Sequence, residues 1–272
     1  MKRNSYIIPL SIIITLIASI ASAGGLWLKS LYHDNAFVKS AWYANDLITL
    51  FVVVPLLIIA MYLSYKDSQR WLMLLMGLLG YMFYNFAFYL FGAAFNIFFL
   101  IYAVIVFLSA VTIFIQLLHG DIRNLSNRFS IKTPVKSVSI YLFLITLMLF
   151  SLELSMIIPF LLDGTIPTTI KQTGLSTSVV FALDFSIVIP VSIIAAILLW
   201  QCHSYGFFLS VIMLVKGATY GLVLCVGTAL LAYSDTYGKW DSMMPLYVVL
   251  VGGGIMGCWL LLKNFKENAL NI

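Results

Sequence analysis

The sequence predicts an all-α protein, a polytopic transmembrane helical bundle of about eight helices that forms a single transmembrane domain over residues 1–272. Composition is the first observation behind this prediction: 62% of the residues are hydrophobic and 9% are charged, whereas about a quarter of a soluble domain is charged. Many apolar runs also reach the roughly 20 residues that a helix needs to cross a bilayer. Hydrophobic residues are continuous in these runs and do not alternate with polar ones. Helices rather than barrel strands are therefore predicted to satisfy the backbone hydrogen bonds in lipid.

The apolar runs place the eight helices in order along the chain. The predicted spans are 6–28, 46–65, 71–89, 93–118, 138–162, 178–200, 205–231 and 245–262. Asp46 then stands at the start of the second helix, where a carboxylate complements the helix dipole, and a capping role is predicted for it.

The first helix has a second interpretation. Lys2 and Arg3 precede an apolar core, and the segment 21–23 (Ala-Ser-Ala) comes before Gly24, as in a secretory signal. The small residues of the same run suit close packing between helices equally well. We expect the helix to be retained.

Basic residues set the predicted orientation. The side shared by both termini receives ten of them: Lys2, Arg3, Lys66, Arg70, Arg123, Arg128, Lys132, Lys136, Lys263 and Lys266. The other side receives four: Lys29, Lys39, Lys171 and Lys239. Because cytoplasmic loops carry the excess of lysine and arginine, both termini are predicted to be cytoplasmic, in the plasma or inner membrane. The net charge of +5 follows from this asymmetry and does not indicate a nucleic-acid partner.

The two halves of the chain are alike in outline. Residues 1–118 and 138–272 each contain a helix, a longer loop, a proline-bearing helix, a short turn and two more helices, and a basic cytoplasmic loop, 119–137, joins them. Pro55 and Pro190 occupy corresponding positions. Two four-helix parallel repeats are one interpretation, and transporters often place a binding site between repeats.

Three ionisable residues fall inside predicted helices. At about 1.5 Å per residue, Glu153 and Asp184 lie roughly 22 and 24 Å above the inner ends of their helices, and Lys216 lies roughly 16 Å up the seventh. The flexible lysine stem can close part of that difference. The three could form one polar pocket that relays protons, binds an ion or clamps a zwitterion. A structural ion pair that fixes helix register is the alternative. In both cases we expect Lys216 to face the protein and be neutralised by Glu153 or Asp184.

An aromatic segment from Tyr81 to Asn96 supplies further candidates. Tyr84, Asn85 and Asn96 could line the same pocket, with aromatic faces for a flat or cationic ligand and amide groups for hydrogen bonds. The alternative is that the aromatic rings belong to the core and the membrane interface, while the two amides hydrogen-bond between helices.

Other motifs indicate packing rather than chemistry. Gly253 and Gly257 form a GxxxG pattern, for which internal helix packing is predicted over a dimer face. The three cysteines indicate no disulfide framework and no metal-binding CxxC pair. Nucleotide-binding, zinc-protease and serine-hydrolase motifs are absent. The three histidines do not all lie on the same predicted side of the membrane. No metal site is predicted, and the sequence leaves the cofactor unknown.

Four segments carry a resemblance. They are 45–50 (NDLITL), 84–86 (YNF), 91–96 (FGAAFN) and 215–219 (VKGAT), and they resemble segments of uncharacterised multi-pass bacterial integral membrane proteins. The resemblance implies the membrane fold and brings no activity with it.

Three functions fit these observations. The first is a small-solute or ion transporter with a pocket between helices, and the second is a non-catalytic membrane subunit of a larger complex. The third is a membrane-embedded enzyme acting on a lipid, although the sequence offers no nucleophile paired with a base. The expected partners are the lipid bilayer, a small-molecule or ion ligand and a membrane protein, and no nucleic acid.

Overall fold

Eight long helices dominate the computed structural model, which describes residues 6–233 and 241–267. They are α1 (Ile7–Trp27), α2 (Ala36–Tyr65), α3 (Gln69–Gly92), α4 (Phe99–His119), α5 (Val135–Asp163), α6 (Val179–Trp200), α7 (Ser204–Ala232) and α8 (Met244–Leu262). Each is long and apolar enough to cross a membrane, and no strand forms within the described ranges. The predicted all-α polytopic bundle is therefore confirmed, and the chain is a multi-pass integral membrane protein.

The connections between helices define two faces of the bundle. The terminal face carries the segments 66–68, 120–134, 201–203 and 263–267. The opposite face carries 28–35, 93–98 and 164–178, and the last of these includes a short helix, Thr168–Thr173.

Basic side chains are distributed unequally between these faces. Eight belong to the terminal face and its helix ends: Lys66, Arg70, Arg123, Arg128, Lys132, Lys136, Lys263 and Lys266. Three belong to the opposite face: Lys29, Lys39 and Lys171. Lys2, Arg3 and Lys239, which also entered the orientation prediction, lie outside the described residues.

Helices α3 and α7 cross at the centre of the bundle and are its most buried elements. Their close approach needs glycine: a Cβ at Gly77 would stand 2.6 Å from Cβ of Val215, and one at Gly80 would stand 2.8 Å from Ile212. Around this crossing, α3 packs on α2 and α4, which also contact α1. In the second half α7 packs on α6 and α8 in the same way, and both of these contact α5.

Helices α2 and α6 share an irregularity at equivalent positions. Each contains a five-residue π-helical turn, Thr49–Val53 and Asp184–Val188, followed by a 12-residue α-helical segment with proline in its first turn. Each then leads to a turn residue with positive φ, Asp67 at 64° and Cys202 at 54°. The differences 184 − 49 and 202 − 67 both equal 135 residues.

The start of α2 differs from the prediction. The helix begins at Ala36 behind Asn35, whose side chain accepts a hydrogen bond from the backbone N–H of Val38 at 2.9 Å. The predicted capping role of Asp46 is therefore wrong, because Asp46 lies ten residues inside the helix. Polar residues made this stretch look like a loop, whereas Asn45 and Asp46 point into the protein and are fully buried.

Glycines in α8 pack inside the bundle, as predicted. Gly253 faces the ring of Tyr141 on α5, and Gly257 faces Leu214 on α7. Helix α1 likewise presents a small-residue stripe to its neighbours, with Ser11, Ala18 and Ser22 fully buried.

Candidate functional site

A cavity of about 400 Å³ lies within the second half of the bundle. Helices α5, α6, α7 and α8 form most of its wall, α2 and α3 complete it, and the short helix Thr168–Thr173 covers it at the opposite face. Its lining extends from Leu142 and Ser192, well inside the membrane-spanning helices, to Thr177 near the opposite face. This volume lies in the range of roughly 300–1,000 Å³ that is typical of small-molecule sites.

Four of the six predicted site residues line this cavity: Tyr84, Glu153, Asp184 and Lys216. They come from four helices, α3, α5, α6 and α7. Only 3% of Glu153, 4% of Asp184 and 8% of Lys216 is exposed, so the three ionisable groups are withdrawn from both lipid and bulk water. Most of the remaining wall is apolar or aromatic.

The Lys216 ammonium interacts with aromatic rings. Its Nζ lies 3.6 Å from the ring centre of Tyr84 and 5.1 Å from that of Tyr220. The two rings meet edge to face, with centres 4.8 Å apart. Cation–π attraction is worth about 2 kcal/mol or more at a desolvated site, so the rings replace part of the hydration that the ammonium loses.

Tyr84 also connects the lysine to a carboxylate, because its hydroxyl donates a hydrogen bond of 2.8 Å to Oδ1 of Asp184. Among the described residues no carboxylate oxygen approaches Lys216 within 4.0 Å. Lys216 faces the protein interior as expected, and no direct ion pair joins it to Glu153 or Asp184. The ring of Tyr84 occupies the ammonium's near side, which sequence spacing could not reveal.

Glu153 and Asp184 bring two acidic groups together across α5 and α6. Both carboxyl groups line the same cavity, and both are buried. Oε2 of Glu153 is buried and receives no hydrogen bond from an amine, amide or hydroxyl of the described residues.

The π-helical turn of α6 positions Asp184. Pro190 has no N–H to donate to the carbonyl four residues earlier, so regular α-helical bonding cannot continue through this point. The wide turn Asp184–Val188 occupies that gap, and such turns are frequent at functional sites. The turn begins with Asp184 itself, whose carboxylate reaches the cavity.

The other two predicted site residues lie elsewhere. Asn85 is fully buried and donates a hydrogen bond of 3.2 Å to Oγ1 of Thr49, on the first-half side of the α3–α7 crossing. Asn96 organises the connection before α4, where its Oδ1 accepts from the backbone N–H of Phe98. Asn85 and Asn96 therefore do not line this cavity, and their amides take part in packing and turn structure.

Two hydrogen bonds join chain segments beside the cavity at the opposite face. The side-chain amide of Asn35, which caps α2, donates to the backbone oxygens of Gln172 and Thr173 at 2.9 and 3.0 Å. This contact joins the two halves through the short helix over the cavity. Thr169, on the same short helix, lines the cavity, and its hydroxyl has no protein partner within the part of the chain that the structure describes.

A third buried carboxylate, Asp46, lies in the first half and was not predicted as a site. Its oxygens accept hydrogen bonds from Tyr32 at 2.6 Å and Tyr89 at 2.8 Å, and it is 1% exposed. A side chain at Gly25 would overlap it. Burial raises the pKa of the Tyr32 hydroxyl far above its usual value, and the nearby Asp46 charge adds to the shift, so this group remains a donor.

Neither the Glu153–Asp184 pair nor Asp46 is part of a set of side chains that could hold a metal ion. Within residues 6–233 and 241–267, no group of three histidine, cysteine, aspartate or glutamate side chains is placed to hold a metal ion.

No family model, curated protein or solved structure matches this chain. Function is therefore inferred from the geometry of the cavity.

Proposed function

We propose that this membrane protein transports a small solute or ion, which binds in the cavity beside Glu153, Asp184 and Lys216. The observation that carries the proposal is a cavity inside the membrane-spanning bundle with three buried ionisable side chains on its wall. Ionisable groups within membrane-spanning helices mark substrate, ion and proton pathways. A purely structural role would need no open volume of about 400 Å³ next to them.

The two halves are proposed to be parallel repeats related by an axis along the membrane normal. Support comes from the equal spacing of the π-helical turns and from reciprocal contacts at the α3–α7 crossing. Gly77 meets Val215, and Gly80 meets Ile212. Adding 135 to 77 and 80 gives 212 and 215, so each contact is the symmetry mate of the other.

Rigid-body movement of one half against the other is the proposed transport step. Repeat-based transporters expose a fixed site to each side of the membrane in turn by such movements. At the α3–α7 crossing, glycines bring the two halves into close contact, and the halves can rotate about this contact. The π-helical turns interrupt α2 and α6, which lie beside the crossing. The contacts between the halves at the two faces would then break alternately.

Different contacts join the two halves at the two faces. At the opposite face Asn35 bonds to Gln172 and Thr173. At the terminal face the Glu267 carboxylate accepts hydrogen bonds from Ser68 at 2.6 Å and from the backbone of Gln69 at 2.9 Å. We propose that the terminal face is cytoplasmic, since it carries most of the basic residues, and that the membrane is the plasma or inner membrane.

Distances between spin labels test this movement without knowledge of the solute. One pair, His33→Cys with Ser176→Cys, spans the halves at the opposite face, and a second, Asp67→Cys with Lys266→Cys, spans them at the terminal face. All four positions are exposed, and the native cysteines Cys202, Cys225 and Cys258 are first replaced by serine. A transporter should give two distance populations at each pair.

The two populations should shift in opposite senses when pH or membrane composition changes, because one face opens as the other closes. A matched pair within one half, His33→Cys with Phe95→Cys, should keep a single distance. A single distance at every pair under all conditions would refute the proposed movement.

A further inference from the structure

We infer that a groove between α5 and α6 at the terminal face binds an anionic phospholipid, with an acyl chain in the groove and the phosphate beside Lys136. The groove has a volume of about 260 Å³, and none of its lining residues lines the cavity described above. This second site does not depend on transport. Its shape, its depth in the membrane and the lysine at its mouth support this partner.

Residue spacing places the groove on one strip of each helix. Its wall consists of Ser139, Ile140, Phe143 and Leu144 on α5 and of Ala196, Ile197 and Trp200 on α6, followed by Gln201. Positions three and four apart are neighbours on a helix surface, so each set forms a continuous strip. Neither strip contains an acidic side chain.

Small side chains form the floor of the groove, and large ones form its rims. On the floor, the hydroxyl of Ser139 donates a hydrogen bond to the backbone oxygen of Ala196, and both residues are buried. The five large apolar side chains of the two strips are between 46% and 57% exposed, so they line an open trough rather than a closed seam. In a membrane this outer surface contacts acyl chains, which are as apolar as leucine.

The groove lies within one leaflet. Trp200 ends α6 at the terminal face, and tryptophan at a helix end marks the level of the lipid headgroups. From Lys136 to Leu144, α5 advances by about 12 Å at 1.5 Å per residue. Half of the roughly 30 Å hydrocarbon core is about 15 Å. The groove therefore follows the path of an acyl chain from its headgroup toward the bilayer centre.

The mouth of the groove is positively charged. Lys136 is exposed, and its Nζ lies 5.6 Å from the ring centre of Trp200. No carboxylate oxygen of the described residues lies within 4.0 Å of this ammonium. Lys132, in the preceding loop, is exposed as well. A lysine in this position holds its charge at the headgroup level while its stem covers apolar surface.

The loop between α4 and α5 adds positive charge on the same side. Ser204, at the start of α7, donates a hydrogen bond of 2.8 Å to the backbone oxygen of Arg123, so this exposed arginine lies beside the turn that follows Trp200. The carboxylate of the same loop, Asp121, lies 3.8 Å from the guanidinium of Arg128. It therefore does not neutralise the charge at the mouth.

Charge and shape have separate roles in this site. A chain gains little by moving from bulk lipid into the groove, because both surroundings are apolar. The headgroup therefore decides which lipid binds, and one lysine near the membrane surface favours an anionic headgroup by about fivefold. The groove fixes the chain, so that the phosphate stays beside Lys136. A zwitterionic lipid carries a cation of its own, which the basic mouth repels.

Brominated lipids test the site, because bromine on an acyl chain quenches tryptophan fluorescence at short range. The full-length protein is reconstituted into phosphatidylcholine vesicles that contain increasing fractions of brominated phosphatidylglycerol or brominated phosphatidylcholine. The fluorescence of Trp200 is the difference between the unaltered chain and Trp200→Phe. We expect half-maximal quenching of Trp200 at an about fivefold lower fraction of the brominated anionic lipid than of the brominated zwitterionic one.

The charge at the mouth is tested by Lys136→Gln, with Lys263→Gln as the matched control. Lys263 forms a similar pair with a tryptophan, its Nζ lying 4.0 Å from the ring centre of Trp259, and neither residue lines the groove. Lys136→Gln should abolish the preference of Trp200 for phosphatidylglycerol. Lys263→Gln should leave it unchanged.

The shape of the groove is tested by filling it from both rims with the double variant Ile140→Phe, Ile197→Phe. The matched control is Leu147→Phe, Ile194→Phe, which changes two exposed residues of the same helices that do not line the groove. The filled groove should lose most of the fivefold preference although Lys136 is intact. The control should retain it.

Three results would overturn the lipid site. Equal quenching of Trp200 by the two brominated lipids would show that the headgroup is not selected. A preference that survives either Lys136→Gln or the filled groove would show only a general attraction of anionic lipid to the basic face. Inorganic phosphate should leave the quenching unchanged, and restored fluorescence on its addition would show that the mouth takes free phosphate rather than a lipid.

Discussion

The ring of Tyr84 separates Lys216 from Asp184 and interacts with both. The lysine ammonium lies 3.6 Å from the ring centre, and the tyrosine hydroxyl donates to the aspartate at 2.8 Å. One side chain thus stabilises a buried cation through its face and a buried anion through its edge. The opposite charges are held close without the direct ion pair that would leave neither group available to a ligand.

Tyr84 variants should separate these two interactions. Tyr84→Phe keeps the ring and removes the hydrogen bond to Asp184, and it should lower the free energy of unfolding by about 1.5–3 kcal/mol. Tyr84→Leu also removes the ring and should cost about a further 1–2 kcal/mol. Unfolding in mixed detergent micelles measures both. In a Lys216→Met background, the difference in the free energy of unfolding between Tyr84→Phe and Tyr84→Leu should be smaller. An unchanged difference would show that the ring does not stabilise the ammonium.

Lys216 should couple more strongly to Asp184 than to Glu153. Lys216→Met leaves the carboxyl pair without its nearby cation, and removing one partner of a buried charge cluster costs about 3 kcal/mol. Asp184→Asn should restore more of this loss than Glu153→Gln, because only Asp184 is linked to the lysine through Tyr84. Double-mutant cycles on the free energy of unfolding measure the coupling. Equal, near-zero coupling to both carboxylates would contradict the arrangement.

The glycine crossing of α3 and α7 gives a stability prediction that is independent of the cavity. Gly80→Ala places a methyl group 2.8 Å from Ile212 and should cost about 1–3 kcal/mol by overpacking. Gly252→Ala on α8 is the matched control, since nothing lies within 4 Å of its added methyl group, and it should change stability by less than about 0.5 kcal/mol. Combining Gly80→Ala with Ile212→Ala should cost less than the sum of the two single changes.

Orientation is tested at one exposed position on each face. Ile131→Cys lies in the loop between α4 and α5, and Thr165→Cys lies between α5 and the short helix. In intact cells a membrane-impermeant maleimide should label Thr165→Cys from outside and should reach Ile131→Cys only after lysis. External labelling of Ile131→Cys would reverse the proposed orientation.

Sequence patterns were sufficient for the fold because membrane helices follow from composition and length. They also placed Glu153, Asp184, Lys216 and Tyr84 in the protein interior, since charged and polar groups in apolar runs must face away from lipid. The same reasoning placed Asp46 in a helix cap, because a polar stretch on a long, inward-facing helix looks like a loop. Hydrogen bonds from Tyr32 and Tyr89 are what permit it to be buried, and pairing across such distances is not encoded in local spacing.

Asn85 and Asn96 lie away from the cavity for a related reason. Both belong to an aromatic segment of α3 and its following loop, but helix rotation turns Tyr84 toward the second half and its neighbour Asn85 toward Thr49. Adjacent residues on a helix point about 100° apart. The direction of each side chain therefore depends on the α3–α7 crossing, which only the packing of the bundle determines.

Two-sided access to the cavity is the most direct test of the central claim. Ser192→Cys, in a background without native cysteines, places a buried thiol on the cavity wall. In sealed vesicles of known orientation, a membrane-impermeant thiol reagent should modify it from either side, at rates that shift in opposite senses with pH. Ile131→Cys and Thr165→Cys serve as one-sided controls. Modification of Ser192→Cys from one side only, or from neither, would contradict the account.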